Sequence, residues 1–180
     1  MANKADVFIS VDVESSGPIP GEYSMLSLGA CVVGSNDGFY AEFKPLTDNA
    51  VPEAMKVTGF DLATLAETGE RPEDAMKKLA AWVKGVAGDA KPVFVGFNAG
   101  FDWSFVNWYF IHFLKDNPFG FAPLDIKSYY MGLTGCSWED TKSSRIQPEF
   151  QPAKAGDHNA LNDARAQGEM FEKMRASKGG

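Results

Sequence analysis

Val7-Phe8-Ile9-Ser10-Val11-Asp12-Val13-Glu14-Ser15-Ser16-Gly17 alternates in the way a strand with two unlike faces requires. Val7, Ile9, Val11 and Val13 share one face, and Phe8, Ser10, Asp12 and Glu14 share the other, because side chains on a strand repeat every two residues. The strand leaves the core at Ser15–Ser16–Gly17, and Pro18, Pro20 and Gly21 punctuate the loop that follows. Ser24–Val33 reads as a second strand. Asn36-Asp37-Gly38 reads as a hairpin turn into a third, Phe39–Pro45. Three strands joined this tightly predict an antiparallel meander.

The pattern then changes. Pro52–Val57 and Asp61–Thr68 read as short helices around Thr58–Gly59. Pro72 opens a helix to about Val86, with Ala75, Leu79, Trp82, Val83 and Val86 on one side. Pro92–Phe97 is wholly apolar, as expected of a strand buried on both faces. Phe101–Leu114 reads as an aromatic-rich helix, and Ala122–Ile126 as a short last strand. A final helix runs from about Asn159, a plausible N-cap, to Met174, with Leu161, Ala164, Gly168 and Phe171 at helical spacing. Gly135–Gly156 is polar and reads as an irregular, variable loop. A meander followed by alternating helix and strand implies an α/β fold: a mixed sheet with helices on both sides.

The 180 residues suit one domain, 1–180, with a frayed polar lead at Met1–Asp6 and a frayed tail at Lys173–Gly180. Apolar residues make up 44% and charged residues 23%, so disorder is excluded over most of the length. Cys31 and Cys136 are the two cysteines, too few for a disulfide framework or a cysteine-rich zinc site. This suits a reducing cytoplasm. Ser10 and Asp12 interrupt the N-terminal apolar run, so it is neither a signal peptide nor a membrane span. The net charge of −7 opposes a protein that tracks phosphates over a long basic surface. That objection weakens where several acids gather around cations.

Asp12 and Glu14 leave the same face of an apolar strand. Two such carboxylates repel and lose hydration, and a hard divalent cation is the natural compensation. For an isolated D-x-E pattern a solvated surface pair is the better explanation. Asp102 follows the strand Val93–Phe97 at a helix start, where an acid also complements the helix dipole. His158 and Asp163 are five apart, so within one regular helix they would point apart. The conflict vanishes if His158 hangs from a loop ahead of an Asn159 cap. A loop-borne histidine there suits proton abstraction from water. His112 lies among aromatics and reads as structural or partly exposed.

In order and spacing these residues resemble the DEDDh exonuclease family, which includes proofreading subunits, RNase T and oligoribonucleases. Asp12-Val13-Glu14-Ser15-Ser16-Gly17 resembles the family's D-x-E-[TS]-[TS]-G. Phe97-Asn98-Ala99-Gly100-Phe101-Asp102 resembles its second motif, and His158-Asn159-Ala160-Leu161-Asn162-Asp163-Ala164 its third. Val57-Thr58-Gly59-Phe60 is similar to the family's V-[TH]-G-[IF]. The resemblance spans Val7 to about Met174. It implies a ribonuclease H-like fold: a five-stranded mixed sheet, first three strands antiparallel, flanked by helices.

It also implies two-metal phosphodiester hydrolysis at the 3′ end of single-stranded RNA or DNA, with Mg²⁺ or Mn²⁺ as cofactors and nucleoside 5′-monophosphates as products. Asp12, Glu14 and Asp163 would ligate metal directly, Asp102 would act mainly through coordinated water, and His158 would be the general base. Ser15 and Ser16 would lie where the terminal 3′-hydroxyl is held. Met25 or Leu26 would wedge against the terminal base or else be core. Phe101 would stack on a base or pack beneath the sheet edge. The helix Phe101–Phe110 offers apolar surface to a homodimer, or else packs in the core. Two rival readings are a ribonuclease H-type endonuclease, disfavoured by His158-x₄-Asp163, and a non-catalytic nucleic-acid-binding domain, disfavoured by the complete set of five residues.

Overall fold

The computed structural model describes residues 5–177. Its elements run β1 (Asp6–Ser15), β2 (Met25–Val32), β3 (Gly38–Glu42), α1 (Pro52–Thr58), α2 (Leu62–Thr68), α3 (Pro72–Ala87), β4 (Lys91–Gly96), α4 (Gly100–Leu114), β5 (Leu124–Asp125), α5 (Ile126–Thr134) and α6 (Ala160–Ala176). The sheet order is β3-β2-β1-β4-β5. β1, β2 and β3 pair antiparallel, as expected of the meander. β4 and β5 add on parallel to β1. The result is the five-stranded, ribonuclease H-like mixed sheet.

The alternation of β1 divides the core in two. Ile9, Val11 and Val13 face one layer, where Leu79 and Val83 of α3 and Phe105, Tyr109 and Phe110 of α4 pack with Phe43 and Phe94. The aromatics of α4 are therefore largely spent on this core. Val95 faces the other layer, where Ile126 and Tyr130 of α5 meet Phe171 and Met174 of α6. Asp12 and Glu14 point into this second layer near its open end, because the register puts Asp12 opposite Gly29 and Glu14 opposite Ser27.

Three features differ from the sequence reading. α5 is an extra helix, only 9 residues long, started by the Asp125 carboxylate, which accepts from the Ser128 N–H at 2.9 Å. A helix this short carries little periodic signal. The stretch expected as an irregular loop holds three 3-10 turns, Trp138–Thr141, Ser143–Arg145 and Pro148–Phe150, and sinks Ile146 and Phe150 into the second layer. The expected ragged ends are also shorter. Asp6 already belongs to β1, and α6 runs on to Ala176 with Met174 fully buried. The Lys173 ammonium donates to the Gln151 carbonyl at 2.7 Å. The remaining parts of those two segments, residues 1–4 and 178–180, lie outside the described residues.

Candidate active site

Gly29 decides where α6 can sit. A Cβ built on it would lie 2.1 Å from the Leu161 nitrogen and 2.2 Å from the Ala160 carbonyl carbon, both backbone atoms that cannot swing aside. Only glycine at this point lets the first turn of α6 descend onto β2, beside Asp12 across the ladder. That descent carries Asp163, in the first turn, to the acids of β1. Glu14, His158 and Asp163 each offer a ligand atom, all within 4.8 Å of one another.

His158 stands ahead of the helix, as the motif spacing required. Asn159 caps α6, its side-chain oxygen accepting from the Asn162 N–H at 3.2 Å. His158 is exposed and adopts a left-handed φ of 63°, uncommon for a residue with a side chain. Just before it, the Asp157 N–H donates to Asp163 Oδ1 at 2.8 Å, tying the loop to the helix.

Asp102 arrives from the other layer, in the first turn of α4. It is 4% exposed, and its Oδ1 accepts from the Val13 N–H, between the two acids of β1, at 3.1 Å. The turn ahead of α4 is held in place because Asp125 Oδ1 accepts from the Ala99 N–H at 3.0 Å. Asp125 therefore serves two helix starts at once.

Gln167 was not foreseen from sequence. Its Nε2 donates to Asp12 Oδ1 at 2.6 Å, and its Oε1 accepts from the Phe97 N–H at 2.8 Å. The backbone donor fixes which end of the amide is oxygen, so the amino group must face Asp12. The only available clue was its place one helical turn after Asp163, on the same side of α6.

The electrostatics are those of crowded acids. Burial, then Asp102, Asp163 and Glu14, hold the Asp12 carboxyl well above its ordinary range, while the Gln167 amide pulls it back. Burial, with Asp163 beside it, pushes Glu14 up to about 7, and His158 opposes this. Burial also raises Asp102 to about 7 against the bond from Val13. Four carboxylates this close demand neutralising charge. The donor set is all hard oxygen plus one imidazole, which fits a divalent cation of the magnesium or manganese type.

The chain matches the RNase T exonuclease family over residues 9–171. It belongs to that family. The exonuclease is 51% identical to the 3′-5′ DNA exonuclease Cap18 of Escherichia coli, over 95% of this chain and 92% of that protein. Its fold overlays that of a 3′-exonuclease solved with a histone mRNA stem-loop at a TM-score of 0.78, with 13% identity, over 97% of this chain and 65% of that one. The nuclease domain of 3′hExo, a DEDDh family member bound to rAMP, overlays at a TM-score of 0.74 with 13% identity, covering 98% of this chain and 94% of that one.

The expected substrate-contacting residues fare unevenly. Met25 and Leu26 are fully buried, so as placed neither presents a wedge to a terminal base. They close the core where β1 and β2 meet, and the Met25 N–H donates to the Tyr109 hydroxyl at 2.8 Å. Ser15 and Ser16 are buried as well. The Ser15 hydroxyl donates to the Gly17 carbonyl at 2.8 Å. The Ser16 hydroxyl donates to the Asn49 carbonyl at 2.8 Å and accepts from the Ser24 N–H at 2.9 Å. Both side chains therefore shape the loop. Phe101 is 36% exposed and leans on Phe105 at 5.4 Å between ring centres. His112 stacks on Trp108 at 4.4 Å, away from the acids. Among the described residues, no helix is long and apolar enough to cross a membrane.

Proposed function

We propose that this exonuclease removes nucleotides one at a time from the 3′ end of single-stranded DNA, using two divalent ions, Mg²⁺ or Mn²⁺. The observation that carries this reading is the meeting of Glu14, Asp163 and His158 within 4.8 Å, beside the buried Asp12 and Asp102. The choice of DNA is supported by the 51% identity to a DNA exonuclease.

Asp12, Glu14 and Asp163 would hold the ions, which supply positive charge to the phosphate and make the attacking water more acidic. Asp102 adds negative charge behind them and, through the Val13 N–H, keeps the end of β1 in register. His158 takes the proton from the attacking water. The new P–O bond forms as the bond to the 3′-oxygen of the shortened strand breaks, and that oxygen takes a proton from solvent. The released product is a nucleoside 5′-monophosphate. Phe101, one residue before Asp102 and 36% exposed, would offer a face to a base.

The test is release of mononucleotides from 3′-labelled single-stranded DNA with Mn²⁺, run beside a matched RNA strand and a circular DNA. Ordered release from linear DNA is the expected result. Cleavage of the circle, or equal behaviour of wild type and Asp12→Ala, would overturn it.

A further inference from the structure

Glycine answers two different needs: a left-handed backbone, or room for a neighbour that a Cβ would strike. Gly59, Gly88, Gly120 and Gly135 are of the first kind, with φ between 53° and 82° and open space where a Cβ would stand. Gly156 is of the second kind. Its backbone is not left-handed, and it is exposed, so neither strain nor core packing calls for glycine there. Yet a Cβ on it would lie 2.1 Å from Asp163 Oδ1 and 2.8 Å from the Asp163 carboxyl carbon. The neighbour that needs the room is a carboxylate of the candidate metal set.

The close approach is fastened. The Asp157 N–H donates to Asp163 Oδ1 at 2.8 Å. The Asp157 carboxylate accepts from the Asn162 amide at 3.0 and 3.2 Å and from the Asn159 N–H at 3.2 Å. Asn159 caps α6 and Asn162 lies in its first turn, so residues 156–157 are bound to the helix that carries Asp163. A carboxylate held by a backbone donor on one oxygen no longer turns freely about its last bond.

We infer that Gly156 and Asp157 are positioning residues for Asp163: the bare Cα gives the carboxylate its place, and the Asp157 N–H gives it its direction. The inference rests on the metal-dependent nuclease reading above, because it concerns how one proposed ligand is aimed. An alanine at 156 could not be relieved by spinning the carboxylate alone, since the carboxyl carbon is also too close. Either Asp163 leaves its rotamer or the loop withdraws and the 2.8 Å bond is lost. In both cases the oxygen loses its fixed place.

The experiment measures Mn²⁺ affinity by calorimetry, and exchange of the Asp157 amide proton by NMR without metal. Gly156→Ala should weaken Mn²⁺ binding by about tenfold, the scale on which groups that orient a ligand act. Its melting temperature should stay within about 2 °C of wild type, because the residue is exposed. Lys154→Ala, in the same segment but outside this contact, should change neither. Unchanged Mn²⁺ affinity in Gly156→Ala overturns the inference, and so does an equal loss in Lys154→Ala. If wild type binds no Mn²⁺, it is the nuclease reading that fails, and proton exchange then decides the positioning. The Asp157 amide should exchange about tenfold faster in Gly156→Ala and in Asp163→Ala than in wild type. Equal exchange in all three proteins overturns the inference whatever the metal result.

Discussion

The end of β1 and the loop ahead of α6 both serve one cluster of candidate ligand atoms, within 4.8 Å of one another, and they are built in opposite ways. Asp12 and Glu14 stand on a strand paired on both sides, with Asp102 and Gln167 bonded in from two helices. His158 stands on an exposed loop, in a left-handed conformation, tied through its neighbour Asp157, whose N–H donates to Asp163 and whose carboxylate accepts from the Asn162 amide. In the proposed mechanism the groups that would hold cations at fixed spacing sit on rigid elements, and the group that would take and give up a proton sits on an exposed loop.

Variants at the two regions should therefore fail differently. Asp12→Asn removes a charge from the centre of the cluster, and activity should fall by at least roughly 10³-fold together with Mn²⁺ binding. Steady-state rates and calorimetry check this, and retained Mn²⁺ affinity would break the contrast. His158→Ala should lower kcat by about 10²-fold or more while leaving Mn²⁺ affinity within about a factor of three. A drop in metal affinity as large as that of Asp12→Asn would show the loop to be part of the rigid set. Gln167→Leu keeps the helix but removes the bond that orients Asp12. Its Mn²⁺ affinity should weaken by about tenfold, as for other groups that orient a ligand from behind. Gln167→Glu, which puts another acid there, should not restore it.

The smallest expected effect is on stability. Asp12, Glu14 and Asp102 all have carboxyls raised by burial in the folded chain, the latter two to about 7. In the unfolded chain such groups lose their protons near pH 4. Between about pH 4.5 and 7 the folded state thus holds more protons than the unfolded one, and metal-free stability falls as pH rises. The exposed acids Asp61, Glu73 and Asp140 are shifted down, so their contribution is lost only below this window. The melting temperature without metal should drop by roughly 2–5 °C from pH 5 to 7.5, and Mn²⁺ should raise it more at pH 7.5 than at pH 5. A metal-free melting temperature that rises over that interval would contradict the crowded-acid picture.

The sequence alone determined the alternation of β1, the meander, the helix starts at Pro72 and Asn159, and the choice of the five candidate residues that the fold brings together. Period and capping are local properties, and the motifs keep their order along the chain. It could not reveal α5 or the buried turns at Ile146 and Phe150, whose short apolar signals gain meaning only against α6. Nor could it sort Met25, Leu26, Ser15 and Ser16, because a residue at the end of a strand looks the same in sequence whether its side chain meets solvent or core. Tertiary structure decided these, and it decided Gln167 and Gly29 too. Gln167 lies 155 positions from Asp12, and Gly29 must be bare only because the Ala160–Leu161 backbone crosses it. Such pairings arise when separate elements pack, and a linear pattern carries no record of which surfaces will meet.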